Sequence, residues 1–412
     1  MIKVGNYLYG FSIFLLFGGI YLFPEKTKLI TISACIIIMT CYIFNRYCKI
    51  ININEALIWG LFLLLGSIMS ICSGVGLSTA LEFSITILVG QLLGAVYMDE
   101  KKRAIIIKAI IIVTVIVLIG CIMQLIAPSI LASITRKTLG NVKYMYFSDF
   151  ISYGALVGFS YQTGVTGYYL AILDGLLLCF LLGKRNKSKI YISIILILYM
   201  GTYILILLTG KRSQLLAVMI LSVLLVALHN KKHFFKILSV MIFLLIGAYV
   251  LLNFTSAGQT IIKRSTGANP TSSRNLIYNI LLENFAKSPI FGNGFGYTLN
   301  TVHNFTNGHN IYLQVLSENG ITGLILFIWL LLLYGKQAFK IAKYYIGTNS
   351  DSCVAPFVIY IQGLFVLNGL TGNPLYDVFP IILFIMSSGM AESMLLDTKI
   401  RCDGGLAWMN NY

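Results

Sequence analysis

Charge is what this sequence has least of. Asp, Glu, Lys and Arg make up 11% of its 412 residues, whereas a soluble domain carries about 25%, so a fold bathed in water is excluded. Short strands of strict apolar and polar alternation are missing too, which excludes a transmembrane β-barrel. The eight cysteines (Cys35, Cys41, Cys48, Cys72, Cys121, Cys179, Cys353, Cys402) contain no C-x-x-C pair. Neither a disulfide framework nor a zinc site is expected, and they read as small packing residues. The first apolar run, about Tyr7 to Phe23, lacks a basic leader and a small-residue cleavage site, so it is expected to be a span rather than a cleaved signal. No internal repeat is found, which weighs against a transporter built from duplicated halves.

What remains is apolar: 58% hydrophobic residues and a mean hydropathy of +0.86. Runs of the roughly 20 residues needed to cross a bilayer recur along the chain. They predict an all-α polytopic membrane protein of about 12 transmembrane helices. The spans fall at about 7 to 23, 29 to 45, 56 to 73, 79 to 98, 104 to 127, 164 to 183, 190 to 209, 213 to 229, 234 to 254, 318 to 335, 354 to 371 and 380 to 396. Three regions follow: residues 1–254 with helices 1 to 9, a large extracytoplasmic loop over 255–317, and 318–412 with helices 10 to 12 and a tail.

A net charge of +16 on a soluble protein would point to nucleic acid. Here the basic residues sit between spans, so no nucleic-acid partner is expected and the bilayer is the partner instead. With both termini in the cytoplasm, the inner connections are "NRYCKI", "DEKKR", "GKRNKSK", "HNKKHFFK", "GKQAFKIAK" and "DTKIR", each with Lys or Arg as the positive-inside rule requires. The outer side receives "PEKTK", a link from Ala127 to Gly164, the turn "TGKRSQ", the large loop and "TGNPLYDVFP".

Lys211 and Arg212 in that short outer turn oppose this bias. They either snorkel to headgroups or bind an anion. "NPTSSRNLIYNILLENFAKSP" reads as an amphipathic helix with Ser272 or Ser273 as N-cap, and Leu276, Ile277, Ile280, Leu281 and Phe285 on one face. Arg274 then lies in the first turn, where a cation opposes the helix dipole but, with free N–H groups, can receive phosphate; an arginine facing water is the other reading. Lys263 and Arg264 lie just upstream, either adding to that field or simply solvated.

"FGNGFGYTLNTVHNFTNGHN" follows, residues 291 to 310. Its Gly292, Gly294 and Gly296 lack the strand and βαβ context of a dinucleotide loop, and instead permit a tight backbone path and close approach to a neighbour. His303 and His309 lack nearby Cys, Asp or Glu to complete a metal set. Asn310, Gln314, Ser317 and Glu318 form a polar stripe at helical spacing, expected to face a wet cavity. His309 at its head can act as a base beside an anion site or cap the helix, and Glu318 can be the base or the group that orients His309. Asp174 and Glu82, acids within spans, are cavity acids or hydrogen-bond to neighbouring helices. Asn253-Phe-Thr255 and Asn304-Phe-Thr306 match the glycosylation acceptor pattern, one that also arises by chance.

Taken together, "TGKRSQLLAVMILSVLLV", "SSRNLIYNILLENFAKSPIFGNGFGY" and "GHNIYLQVLSENGITGLILFIWLLLL" resemble the O-antigen ligase and Wzy-type polymerase superfamily. Its pattern has an outward arginine opening a membrane helix, an Arg-led helix ending in Pro and a G-x-G-x-G loop, and His-Asn opening a helix with Glu-x-Gly-x-x-Gly. The match runs over about residues 200 to 335, with Lys211 where the family often has Ser. The resemblance implies glycosyl transfer at the outer face of the bacterial cytoplasmic membrane, from an undecaprenyl-pyrophosphate-linked oligosaccharide. Arg212 and Arg274, with Lys211, would match the pyrophosphate, and His309 would deprotonate the acceptor hydroxyl. No cofactor, nucleotide or metal is implied; a flippase and a chain-length regulator are implied partners.

Polymerase and ligase differ only in acceptor. Usage rich in Ile, Lys, Asn and Tyr resembles low-GC bacteria, where capsule and exopolysaccharide polymerases of this form occur, and favours the polymerase. Transfer of finished glycan to lipid, wall or protein is the alternative. Export of polysaccharide or lipid and a purely structural role are the remaining readings.

Overall fold

The computed structural model describes residues 2–44, 53–95, 97–183, 188–229, 247, 253–254, 259, 274–302, 307–345 and 353–402. Every regular element among them is helical. Helix α1 (Ile2–Phe14) passes through a π turn at Leu15–Gly19 into α2 (Ile20–Leu22), and α3 (Thr27–Phe44), α4 (Ile53–Ser73), α5 (Leu77–Gly94) and α6 (Glu100–Ile126) follow. Next come α7 (Pro128–Thr138), α8 (Asn141–Ser152), α9 (Thr163–Leu182), α10 (Lys189–Leu208) and α11 (Arg212–His229). The remainder holds α12 (Arg274–Lys287), α13 (Tyr297–Thr301), α14 (Ile311–Tyr345), α15 (Val354–Gly369) and α16 (Val378–Cys402).

Among the described residues eight helices, α4, α5, α6, α9, α10, α11, α14 and α16, are long and apolar enough to cross a bilayer, and Tyr7–Leu22 and α15 are shorter apolar helices. Each expected span meets a helix except the ninth, 234 to 254, which lies largely outside the described residues. Lys263, Arg264, Ser272, Ser273, His303 and the Asn304 acceptor site also lie outside them, as does Thr255 of the Asn253 site.

Sequence pattern sorts the helices by depth. "TGVTGYYLAILDGLLLCFLL" of α9 is apolar all round, as a fully surrounded helix must be, and it and α16 are the most buried spans. By contrast, α10 exposes Ile190, Ile194, Ile197 and Ile204 at helical spacing, the lipid-facing side of an outer helix. Close crossings use small residues: a Cβ at Gly389 of α16 would lie 2.1 Å from the Gly94 carbonyl oxygen of α5.

The in-span acids are now assigned. Asp174 is fully buried and accepts a 2.9 Å hydrogen bond from the Thr202 hydroxyl of α10. Glu82 is exposed and ion-paired with Lys28 of α3, so it is not a cavity acid. The link from Ala127 to Gly164 folds as well. Pro128 opens α7, and Leu131, Leu139, Phe147 and Val157 form a small core of their own. Gln124 of α6 ties it down: its amide donates to the Ala155 carbonyl (2.8 Å) and accepts from the N–H groups of Val157 (2.8 Å) and Gly158 (2.9 Å).

At one end of the bundle a buried polar network joins α4, α14 and α16. Ser388 contacts Glu55 (2.7 Å) and the Gln337 amide oxygen (2.8 Å), while the Gln337 amide nitrogen donates to Glu55 and to Glu392 (3.0 Å). Arg103 pairs with Asp397 at 2.8 Å near the same end. Gln337→Ala leaves Ser388 and Glu55 bonded to each other but removes the amide donor to Glu55 and Glu392 and the amide oxygen facing Ser388, each unmet buried group costing about 1–3 kcal/mol. Thermal unfolding of the purified protein in detergent is expected to show a clear loss of stability.

Candidate functional site

The opposite end is organised by a break in a helix. Gly320, in the first third of α14, has φ 64° and ψ −167°, so the helical ladder stops there and leaves backbone groups without partners. The glycine-rich segment supplies them. The Gly294 N–H donates to the Glu318 carbonyl (2.7 Å) and the Asn293 amide to the Ser317 carbonyl (2.9 Å). The carbonyls of Pro289 and Ile290 accept from Ile321 (2.9 Å) and Thr322 (3.2 Å).

That pairing explains the glycines. Gly292 and Gly294 have φ 76° and 93°, which side chains other than glycine rarely adopt. A Cβ on Gly292 would sit 2.3 Å from the Glu318 carbonyl oxygen, and one on Gly294 2.3 Å from the Ser70 amide. The expected close approach is therefore to α14 and α4. Between the glycines, Phe295 is fully buried, with ring centroids 5.6 Å from Phe62 and 4.7 Å from Phe83.

The polar stripe does not line a wet cavity as its spacing suggests. Gln314, Ser317 and Glu318 have no exposed surface, so they face protein rather than a wet cavity. Periodicity places them on one face, but the partner turns out to be the glycine segment. Glu318 accepts from the Tyr376 hydroxyl (2.8 Å), the Gln314 amide (3.1 Å) and the Thr298 N–H (3.3 Å), so both its oxygens are engaged in joining loop, helix and the start of α16. Asn310 belongs to a different role: its side-chain oxygen accepts from Tyr312 (3.0 Å) and Leu313 (3.1 Å) and is the N-cap of α14.

His309 precedes that cap, half-buried, with φ 52°, the one positive φ outside glycine among the described residues. Such left-handed positions are strained and concentrate at functional sites. The Tyr278 hydroxyl of α12 holds the His309 carbonyl at 3.3 Å, and the Gln314 side chain accepts from the neighbouring Gly308 N–H at 2.8 Å. Burial, then the charges of Arg274 and Lys211, push the imidazole down to about 4, so it is neutral at pH 7. The structure thus brings His309, Arg274 and Lys211 into one electrostatic neighbourhood.

Arg274 is the first residue of α12, as the helix pattern required, and half-buried. On that helix Ile277, Leu281 and Asn284 face inward; Leu276, expected on the same face, is exposed. Lys211 lies along the first turn of α9, its Nζ 3.8 Å from where a Gly164 Cβ would be. Arg212 opens α11 with its side chain exposed.

One member escaped the sequence reading. Asp377, just before α16, has its carboxyl pushed up to about 6 by the surrounding protein, with Lys211 pulling it down. Its side chain is exposed, so water tempers the effect of burial. The signal available was an acid in "TGNPLYDVFP", a connection on the same side as the turn that bears Lys211 and Arg212.

These features define a polytopic helical membrane protein with a cation-rich, histidine-bearing site at one end of the bundle. Residues 198–328 match the family model described as O-Antigen ligase, consistent with the O-antigen ligase and Wzy-type superfamily. The matched segment runs from α10 into α14 and contains Lys211, Arg212, Arg274, His309 and Glu318. No curated protein matches the chain. The match supports glycan transfer of ligase or polymerase type and, with the apolar helices, a bacterial membrane location.

Gly294→Ala forces a side chain into a left-handed position, at about 1–3 kcal/mol, and adds a backbone clash with Ser70. It is expected to lower the melting temperature and the activity together. Gly335→Ala, in the same helix as the break but with open space around it, is expected to leave both unchanged.

Proposed function

We propose that this protein polymerises polyprenyl-pyrophosphate-linked oligosaccharide units into a surface polysaccharide, at the outer face of the cytoplasmic membrane. The carrying observation is the grouping of a neutral histidine with Arg274 and Lys211, beside Arg212. The orientation rests on the Lys and Arg bias of the opposite connections.

In this reading the acceptor hydroxyl attacks the anomeric carbon of the donor. A new C–O glycosidic bond forms, the bond to the pyrophosphate breaks, and its electron pair leaves with the pyrophosphate. Arg212, Arg274 and Lys211 stabilise the charge that grows there, and His309 takes the hydroxyl proton. Cations that hold the free imidazole down are offset once a pyrophosphate lies among them. Donor binding thereby makes His309 a stronger base when a base is needed. Glu318 acts at one remove, fixing the loop that carries His309.

A ligase passing finished glycan to a separate acceptor is the second reading, favoured by the description of the matched family. Purified protein incubated with a single defined lipid-linked unit decides between them: a polymerase yields a ladder unaided, whereas a ligase yields product only when another acceptor is added.

Arg212→Ala, Arg274→Ala and His309→Ala are each expected to cut product formation by about 100-fold or more, with normal amounts of protein in the membrane. Full-length polymer from all three would sink the proposal. The acid limb of kcat/KM reports the free enzyme and is expected near pH 4, since the imidazole must be neutral. Lys211→Gln removes a repelling charge and is expected to move that limb upward.

A further inference from the structure

The pair α7 and α8 contributes no residue to the candidate site, yet α7 has three faces where a helix on a globular surface has two. At 100° per residue, Leu131 and Thr135 point into the small core and are buried. Ser129, Ser133 and Arg136 point away from it and are exposed. Ile130 and Ile134 form a third stripe to one side, 54% and 37% exposed, with Lys137 at its end. On α8, Val142 and Tyr146 are exposed on one flank of buried Phe147, with Tyr153 just beyond the helix end; Asn141, Ser148 and Ser152 are exposed on the other, and exposed Met145 lies between the flanks.

On α7, a core side flanked by an exposed apolar stripe and an exposed polar stripe is the pattern of a helix lying in a membrane interface. The surface is continuous with a lipid-facing one: Ile119, Ile122 and Ile126 of α6 are exposed at helical spacing, and α7 starts two residues after α6 ends. Exposed Arg136 and Lys137 outweigh exposed Asp149, which suits anionic headgroups. Tyrosine is also favoured at headgroup depth.

We propose that α7 and α8 lie in the headgroup layer of an anionic phospholipid leaflet, on the side of the membrane that holds His309. There they fix the depth of the cation cluster. The connection is covalently short and hydrogen-bonded: the Leu156 N–H, just beyond α8, donates to the Leu208 carbonyl at 3.0 Å, and Lys211 follows in the next turn. The anchoring holds whether the reaction is polymerisation, ligation or neither.

The test uses the full chain in vesicles of phosphatidylcholine and phosphatidylglycerol, with Trp introduced as Ile134→Trp, Tyr146→Trp or Ser133→Trp, each read against the unsubstituted protein. Lipid brominated near the glycerol is expected to quench the added Trp at 134 and 146 at least about twofold more than at 133, and aqueous iodide is expected to show the reverse order. Arg136→Glu with Lys137→Glu should reduce the lipid quenching at 134 to the level seen in pure phosphatidylcholine. Tyr146→Trp, a near-isosteric change, carries the test if Ile134→Trp does not fold. Iodide quenching equal at all three positions, or protection from both quenchers with cross-linking between copies at 134, would overturn the proposal.

Discussion

Where α14 stops being a helix at Gly320, its freed backbone groups are taken up by residues 289 to 294, and the rest of the site depends on that exchange. A broken helix inside a bilayer is tolerable only if protein satisfies what the break exposes. Here the repair is made by a loop that must press backbone against backbone, which is why glycine occupies positions 292 and 294. The same contact sets the short N-terminal piece of α14 at its angle. His309 and Asn310 stand at the head of that piece, so the position of the imidazole follows from the geometry of the repair.

Electrostatics builds on this frame. Arg274 and Lys211 arrive from α12 and from the turn before α11, elements that share no sequence neighbourhood with His309. Burial of the imidazole, and then their charges, keep it neutral. Asp377 brings an acid to the Lys211 side of this neighbourhood, so charges of both signs meet at the end of the bundle that holds the loop. Glu318 lies close by, yet its hydrogen bonds point to Thr298, Gln314 and Tyr376, making it part of the frame.

Much of the membrane architecture was legible in the sequence, because hydropathy and span length are one-dimensional properties. Arg274 at the head of an amphipathic helix and His309 at the mouth of a span were legible for the same reason: each is a local statement about a helix end. What periodicity could not supply was the identity of the partner across a face. The stripe of Gln314, Ser317 and Glu318 was correctly one-sided and wrongly assigned to water. Leu276 was counted on the inner face of α12, while Asn284, a polar residue with partners in Thr301 and Lys287, holds an inward place. The relation of Asp377 to Lys211 joins positions more than a hundred residues apart, and α7 and α8 carry no long apolar run for hydropathy to find.

The hydrogen bond from Tyr376 to Glu318 has a consequence for biogenesis. Its partners are 58 residues apart, and Phe295 is received by Phe62 and Phe83 from the earliest part of the chain. The loop can therefore dock on α4 and α5 while synthesis continues, but Glu318 has no hydroxyl partner until the connection ahead of the last helix has emerged. The seam between the loop, α14 and the last helix therefore closes only when the final part of the chain is in place.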